Sequence, residues 1–318
     1  MSLGFIFGPV PSRRLGLSLG INIVPFKTCS FNCIYCEVGK TTDLTVKRKS
    51  FYDVDEIKKD FVETVDKSGH IDFVTFSGSG EPTLNSDIGE LIDFVKSFNK
   101  YKIAVLTNGS LMYKESVRKD LINADVVVPS LDAALSGVFK KVNLPHKDLE
   151  IDKIIDGLFK FKKEFKGQVW LEILFVEGVN DSEENLNALI EAVNRISPDI
   201  VQIGTVDRPP AYSSAHKVND EKMMDIYTYL SAHLKMKVDI IGSFNKENDK
   251  FYDNIERSII KMVNIRPCSK DELKSIFNLN DESIKETLDK LIGEEKIYTE
   301  EFQGKLFVVG NRSVSMKK

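Results

Sequence analysis

Seven short apolar, β-branched runs punctuate the chain: Leu19–Val24, Asp72–Phe76, Lys102–Leu106, Ala124–Pro129, Gln168–Phe175, Asp199–Thr205 and Lys237–Ile241. Each is near-continuously hydrophobic rather than alternating, as parallel strands covered on both faces are. Helical periodicity fills the gaps, over Val54–Asp66, Ile88–Phe98, Lys114–Asn123, Leu149–Phe165, Ser182–Ile196 and Asp220–Leu234. Asp181-Ser182-Glu183-Glu184 reads as a helix start, with small capping groups and acidic residues in the first turn. Strand alternating with helix marks repeated βαβ units and an α/β fold class. A barrel-like arrangement, incomplete at one side, and an open doubly wound sheet both satisfy this pattern.

The end of the chain has a different rhythm. Asn254–Val263 predicts an apolar helix, and Ser269–Phe277 a second, opened by a capping box of Ser269 and Glu272. Asn280–Ile292 predicts a third, with Ile284, Leu288, Leu291 and Ile292 on one face. Ile297–Glu301 and Lys305–Val309, around Phe302-Gln303-Gly304, read as a hairpin. Three helices and a two-stranded wing form a winged-helix-like pattern. The expected organisation is therefore a main α/β domain over residues 1–248 and a winged-helix-like module over 249–318.

Composition narrows the setting. Hydrophobic residues make up 42% and charged residues 29%, as in an ordinary globular protein. The net charge of −4 supplies no global field for nucleic acid or an anionic membrane. No apolar run reaches the roughly 18 residues that cross a bilayer, and Met1–Phe5 shows no secretory signature. The expectation is a cytoplasmic protein with no membrane partner. There thiols stay reduced, so four cysteines point to metal, catalysis or burial before disulfides.

Three of the four lie together, Cys29-Ser-Phe-Asn-Cys33-Ile-Tyr-Cys36, spaced C-x3-C-x2-C. Thiolates favour zinc or iron–sulfur over hard cations. A structural zinc wants four ligands, and no fourth Cys or His lies nearby in sequence, His70 being the nearest histidine. A cubane held by three cysteines leaves one iron open for chemistry. Zinc, or reduced cysteines buried without function, are the alternatives.

This spacing, with Tyr35 just before the third cysteine and the loop following the first strand, resembles the signature of the radical S-adenosylmethionine (radical SAM) superfamily. The resemblance spans roughly residues 5 to 245. It implies a partial (β/α)6 TIM-like barrel, with a 4Fe-4S cluster on Cys29, Cys33 and Cys36 at the C-terminal mouth of the strands. It further implies S-adenosyl-L-methionine as cofactor, an external electron donor of ferredoxin or flavodoxin type, and reductive cleavage to a 5′-deoxyadenosyl radical that abstracts hydrogen from a substrate.

Site residues follow from the same resemblance. Tyr35 would stack on the adenine. Ser77-Gly78-Ser79-Gly80-Glu81-Pro82, where glycines let the backbone approach a ligand, is similar to the element that holds the methionine amino group, through Ser79, Gly80 and Glu81. Ser79 stands where the family usually has glycine. Asn108, Ser130 and Asp132, at the ends of their strands, would reach the methionine carboxylate and the ribose. Thr205 and Val206 would supply backbone contacts to the adenine. Glu172, a carboxylate inside an apolar strand, needs a partner or a polar cavity; a ribose or substrate contact and a structural salt bridge are both open. Asp207 and Arg208 enter a Pro-rich loop that could cover the mouth, or pair with each other.

Gly8-Pro-Val-Pro-Ser-Arg-Arg-Leu-Gly16, Phe26-Lys27-Thr28-Cys29 and Val206-Asp-Arg-Pro-Pro210 together resemble a sub-branch related to the wyosine-base enzymes of tRNA. RNA thus enters as a possible substrate, by analogy only. A second cluster is not expected, since only Cys268 remains, and that residue reads as a buried free thiol. Residues 251–318 hold 12 basic and 12 acidic residues, and the third helix is net acidic, which argues against reading duplex DNA. Lys47-Arg48-Lys49 is the best basic patch, either for an anionic substrate or as a solvated face. From another functional class, an iron–sulfur electron-transfer or sensing protein with the winged helix as output fits the same elements.

Overall fold

The computed structural model describes residues 4–241 and 255–311. The expected boundary at 248/249, and Asn254 as a helix start, lie outside the described residues.

The chain opens with a hairpin, β1 (Ile6–Ser12) and β2 (Gly16–Ile21), followed by two short strands in a loop, β3 (Thr28–Cys29) and β4 (Asp43–Leu44). Regular alternation follows: α1 (Val54–Val65), β5 (Phe73–Phe76), α2 (Ile88–Ser97), β6 (Lys102–Thr107), α3 (Glu115–Asp120), β7 (Val126–Pro129), α4 (Ser136–Val142), α5 (Ile151–Glu164), β8 (Gln168–Phe175), α6 (Glu183–Ile196), β9 (Ile200–Thr205), α7 (Asp220–His233) and β10 (Lys237–Ile240). The last described elements are α8 (Ile255–Ile265), β11 (Cys268–Ser269), α9 (Lys270–Phe277), α10 (Asp281–Gly293), β12 (Ile297–Phe302) and β13 (Lys305–Gly310).

The main sheet has eight strands in the order β1-β2-β5-β6-β7-β8-β9-β10. All neighbours from β2 to β10 pair in parallel, and β1 adds an antiparallel edge. The order never reverses, so there is no switch point of a doubly wound sheet. It is the singly wound order of a β/α barrel. Among the described residues β10 and β1 do not pair, which leaves the sheet open.

The edge strand escaped the hydrophobic reading because Ile6–Ser12 carries Pro9 and Pro11, which cannot donate to a ladder and are confined to edges. Its Phe7 lies opposite Gly20 of β2, and its ring fills the space that a Cβ on Gly20 would need. The strands also differ from the expectation of two equally covered faces. Along β8, Val169, Leu171, Ile173 and Phe175 are buried in the large core shared with the helices, while Trp170, Glu172 and Leu174 remain partly accessible on the opposite face. That inner face carries the polar Ser18–Thr75 contact and a small cluster of Leu15, Ala104, Val126 and Val128.

The C-terminal elements build a second core from Ile259, Met262, Val263, Leu273, Ile276, Phe277, Ile284, Leu288 and Leu291. Its hairpin is three-stranded, because β11 pairs with β13. Ile292, expected on the apolar face of its helix, is 38% exposed. Cys268 is fully buried, as expected, and burial pushes its thiol up to about 11. The Ser269–Glu272 capping box is present in full. Val10 of β1 packs on this core, and Lys261 donates to the Ile6 carbonyl at 3.0 Å, so the unit is seated on the edge hairpin.

Candidate functional site

The C-terminal ends of the parallel strands are the place where turns can present backbone and side chains to a ligand. The cysteine loop leaves β2 there and folds back over the ends of β5, β6 and β7. It is tied down by β3–β4 pairing and by the turn after β5: Lys27 N–H donates to Ser79 O (2.7 Å), and Glu81 N–H to Thr28 O (3.1 Å). Gly80 is required at that crossing, since a Cβ would collide with the Thr28 carbonyl. Asn22, just past β2, grips the same turn by donating to Ser79 Oγ at 3.0 Å.

The three thiols are partly buried. Burial pushes Cys29 up to about 12 and Cys33 well above the usual range, and the nearby Cys36 adds to the rise at both. Each sulfur receives a side-chain N–H donor. Asn108 Nδ2 points at Cys29 Sγ (3.5 Å), Asn143 Nδ2 at Cys33 Sγ (3.4 Å) and Lys27 Nζ at Cys36 Sγ (3.2 Å). Among the described residues no three Cys, His, Asp or Glu side chains converge as single-ion ligands. A cubane does not need such convergence on one point, because it spreads its ligands over several metal corners. The donor set fits a cluster. It comprises three soft sulfurs, mutually close, each with a donor that stabilises a thiolate.

Glu81 is 2% exposed and fully engaged. One carboxylate oxygen accepts from Thr83 N–H (3.0 Å), Thr83 Oγ1 (2.6 Å) and Thr107 Oγ1 (2.6 Å), and the other from Asn108 N–H (2.7 Å). A carboxylate offers about four acceptor positions, so the side chain clamps the turn to the end of β6. Burial raises its pKa against the pull of these donors.

Asp132 behaves in the same way. It accepts from Leu174 N–H (2.9 Å) on one oxygen and from Asn143 Nδ2 (2.7 Å) and Tyr35 Oη (2.5 Å) on the other. Burial raises its pKa, and burial beside Asp132 raises that of Tyr35. Asn108, Ser130, Asp132 and Asn143 line a cleft under Phe31, between the strand ends and α4 and α5.

Tyr35, Ser79, Gly80, Glu81, Asn108 and Asp132 are thus gathered around the cysteine loop, and Ser130 adjoins them. Glu172 pairs through its backbone with Ser130, accepts from Leu131 N–H (2.9 Å), and directs its carboxylate to an ion pair with Arg14. Thr205 uses its hydroxyl within the scaffold, donating to Phe175 O (2.9 Å) and accepting from Val218 N–H (2.8 Å). Val206 is buried.

Asp207 and Arg208 do not pair with each other. Asp207 meets Arg13 (3.2 Å), while the buried Arg208 bridges Glu37 (3.0 Å), next to Cys36, and Glu272 (2.6 Å) of the C-terminal unit. Arg48 is likewise no free basic group, because it bonds Asp120 (2.5 Å) and the carbonyls of Thr83 and Asn85. The Pro-rich loop after β9 is bonded to the cysteine loop. Tyr212 N–H donates to Ile34 O (3.0 Å), and Asn32 Nδ2 to Tyr212 Oη (2.8 Å).

Sequence reasoning missed Lys27, Asn143 and Arg14. The last two lie beyond an unpredicted helix and in an unpredicted hairpin. Lys27 had a signal, a lysine two residues before the first cysteine, but nothing in sequence says that it is buried.

Comparison with known proteins gives a consistent picture. The family model for the radical SAM superfamily matches residues 23–190. The UPF0026 protein of Methanocaldococcus jannaschii is 33% identical over 310 residues, covering 96% of this chain and 95% of that protein. A protein of Brachyspira hyodysenteriae named GTPase Obg is 38% identical over 301 residues, covering 95% of this chain but only 44% of its own length. Among solved structures, Streptococcus suis SuiB bound to S-adenosylmethionine has the same fold, with TM-score 0.53 and 18% identity. That match covers 70% of this chain and 50% of the SuiB chain.

Proposed function

The chain belongs to the radical SAM superfamily and within it to the UPF0026 proteins, and from that premise we propose that it generates a substrate radical over the cysteine loop. Radical SAM enzymes use a 4Fe-4S cluster and S-adenosylmethionine. When bound, the cluster would pass one electron from an external donor to S-adenosylmethionine, whose sulfonium C–S bond would break to give methionine and a 5′-deoxyadenosyl radical that takes hydrogen from the substrate. The observation that carries the reading is the three-sulfur set, each sulfur with its own N–H donor, on a loop at the strand ends.

The chain's own residues bind, orient and shield. Cys29, Cys33 and Cys36 would hold the cluster. Glu81 acts as a clamp whose four bonds fix Asn108 and the turn, which would leave the Ser79 and Gly80 backbone to hold the methionine amino group. Tyr35, with its hydroxyl fixed on Asp132, offers its ring to the adenine. Ser130 and Asn108 border the cleft beside it, and the Thr205–Val206 backbone approaches from β9. The Arg14–Glu172 pair favours the salt-bridge reading of Glu172 over a ribose contact. The loop around Tyr212 is bonded to the cysteine loop and would help to shield a bound cofactor from water.

We read the main unit as a partial (β/α) barrel over residues 1–248. Residues 249–318 form a winged-helix-like module that docks through Arg208 and does not read duplex DNA. The electron donor is an external protein of ferredoxin or flavodoxin type. RNA is the substrate class to offer first, because of the likeness to wyosine-base enzymes.

The test is anaerobic reconstitution with iron and sulfide, reduction, and assay of S-adenosylmethionine turnover. Release of 5′-deoxyadenosine supports the proposal. A brown, reducible protein that leaves S-adenosylmethionine intact would instead be the electron-transfer or sensing protein. Deuterium transfer from labelled tRNA, peptide or metabolite into 5′-deoxyadenosine then identifies the substrate.

A further inference from the structure

Lysine is among the residues least often buried, and when buried it is paired. Lys27 departs from this. It is 3% exposed, and among the described residues no carboxylate forms an ion pair with it. Its ammonium lies 3.2 Å from Cys36 Sγ.

The backbone fixes this placement. Lys27 adopts the left-handed conformation, with φ 54°, unfavourable for a residue with a side chain. It is held there by hydrogen bonds from its N–H to Ser79 O (2.7 Å) and to its carbonyl from Thr42 (3.2 Å) and Asp43 (3.1 Å). The chain therefore tolerates strain and an uncompensated cation to put one positive charge against a cluster ligand. The other two sulfurs receive neutral amides.

Resting on the cluster-binding reading above, we propose that Lys27 is the built-in counter-ion of the cluster and sets its reduction potential through Cys36. Three thiolates and a 4Fe-4S core carry net negative charge. Accepting one electron adds one more unit, with no bond made or broken. A fixed ammonium on a sulfur ligand stabilises the reduced form more than the oxidised form, so it raises the potential. It also makes the cluster easier to reduce by a weak physiological donor. Lys27 acts as a positioning residue for charge; it need not touch the substrate.

The experiment is a potentiometric titration of reconstituted protein without S-adenosylmethionine, with the reduced cluster read by electron paramagnetic resonance. Lys27→Met keeps the stem and removes the charge, and its reduced-to-oxidised ratio should be about tenfold lower at any given poise, a fall of about 59 mV for a one-electron couple. Lys27→Arg should stay near the parent, and Asn143→Ala should shift less than Lys27→Met. Equal potentials for Lys27→Met and parent would overturn the proposal.

Should Lys27→Met fail to load, parent protein carrying 15N-lysine decides. Pulsed resonance should show a lysine nitrogen coupled to the reduced cluster, and absence of that coupling refutes the contact. Failure of the parent to bind any cluster would instead defeat the functional reading, which separates the two.

Discussion

Glu81→Gln separates a clamp from a ligand. In the parent, the buried carboxylate accepts four hydrogen bonds at 2.6–3.0 Å, three on one oxygen and one on the other. Glutamine has one oxygen. Its best orientation keeps that oxygen on the Thr83 and Thr107 donors and turns its NH2 toward the Asn108 N–H, donor against donor. The change removes the charge-assisted bond from Asn108 N–H and leaves that buried donor unsatisfied, a single loss of about 1–3 kcal/mol. Urea denaturation of the reduced, metal-free chain, followed by circular dichroism, should show the midpoint falling with m unchanged. Loss of S-adenosylmethionine binding would accompany it, because Asn108 and the Ser79–Gly80 turn lose their anchor. A variant within about 0.5 kcal/mol of the parent that had nevertheless lost binding would refute the clamp and make Glu81 a direct ligand of the amino group.

Other outcomes follow from equally local features. Gly80→Ala forces a methyl group into the Thr28 carbonyl and should abolish cluster retention, measured as iron per chain, while far-UV dichroism stays near the parent. Arg208→Met strips Glu37 and Glu272 of their shared cation. The low end of the range for broken buried pairs, about 3 kcal/mol, applies because both carboxylates keep some access to water, and calorimetry should show the C-terminal unit melting early. The same contact has an acid limb. Burial pushes the Glu37 carboxyl up, but Arg208, Arg13 and Arg266 hold it at about 2, and Glu272 is also lowered. Their stabilisation is present above the ordinary carboxylate pKa and is lost as pH falls toward about 2; melting temperature against pH should drop there in the parent and more weakly in Arg208→Met. Cys268→Ala should cost about 1 kcal/mol and leave iron content unchanged, since that thiol sits in the second core.

The strands that carry the site were legible because they are covered by helices and therefore run as apolar blocks bounded by polar turns. Hydrophobic pattern had no purchase on Ile6–Ser12, where two prolines sit on an edge, or on Ser136–Val142, a helix of only 7 residues. The cysteines and the Ser79–Glu81 turn were visible because they are contiguous. What sequence could not assign was direction. Glu81 and Asp132 look like ligand carboxylates in a row of letters, yet their oxygens are taken by neighbours 2 to 97 positions away. Arg208 reads as a neighbour of Asp207, but its partners come from the cysteine loop and the last third of the chain. Long-range pairing of charges depends on how elements pack, and no local period encodes it.

The most direct test of the central claim uses reconstituted, dithionite-reduced protein with S-adenosylmethionine labelled with 15N in its amino group. Three protein sulfurs and an open iron predict about four irons per chain, a change in the resonance spectrum on adding S-adenosylmethionine, and a 15N coupling from its amine. A spectrum indifferent to S-adenosylmethionine, or a metal bound entirely by protein ligands, would contradict it.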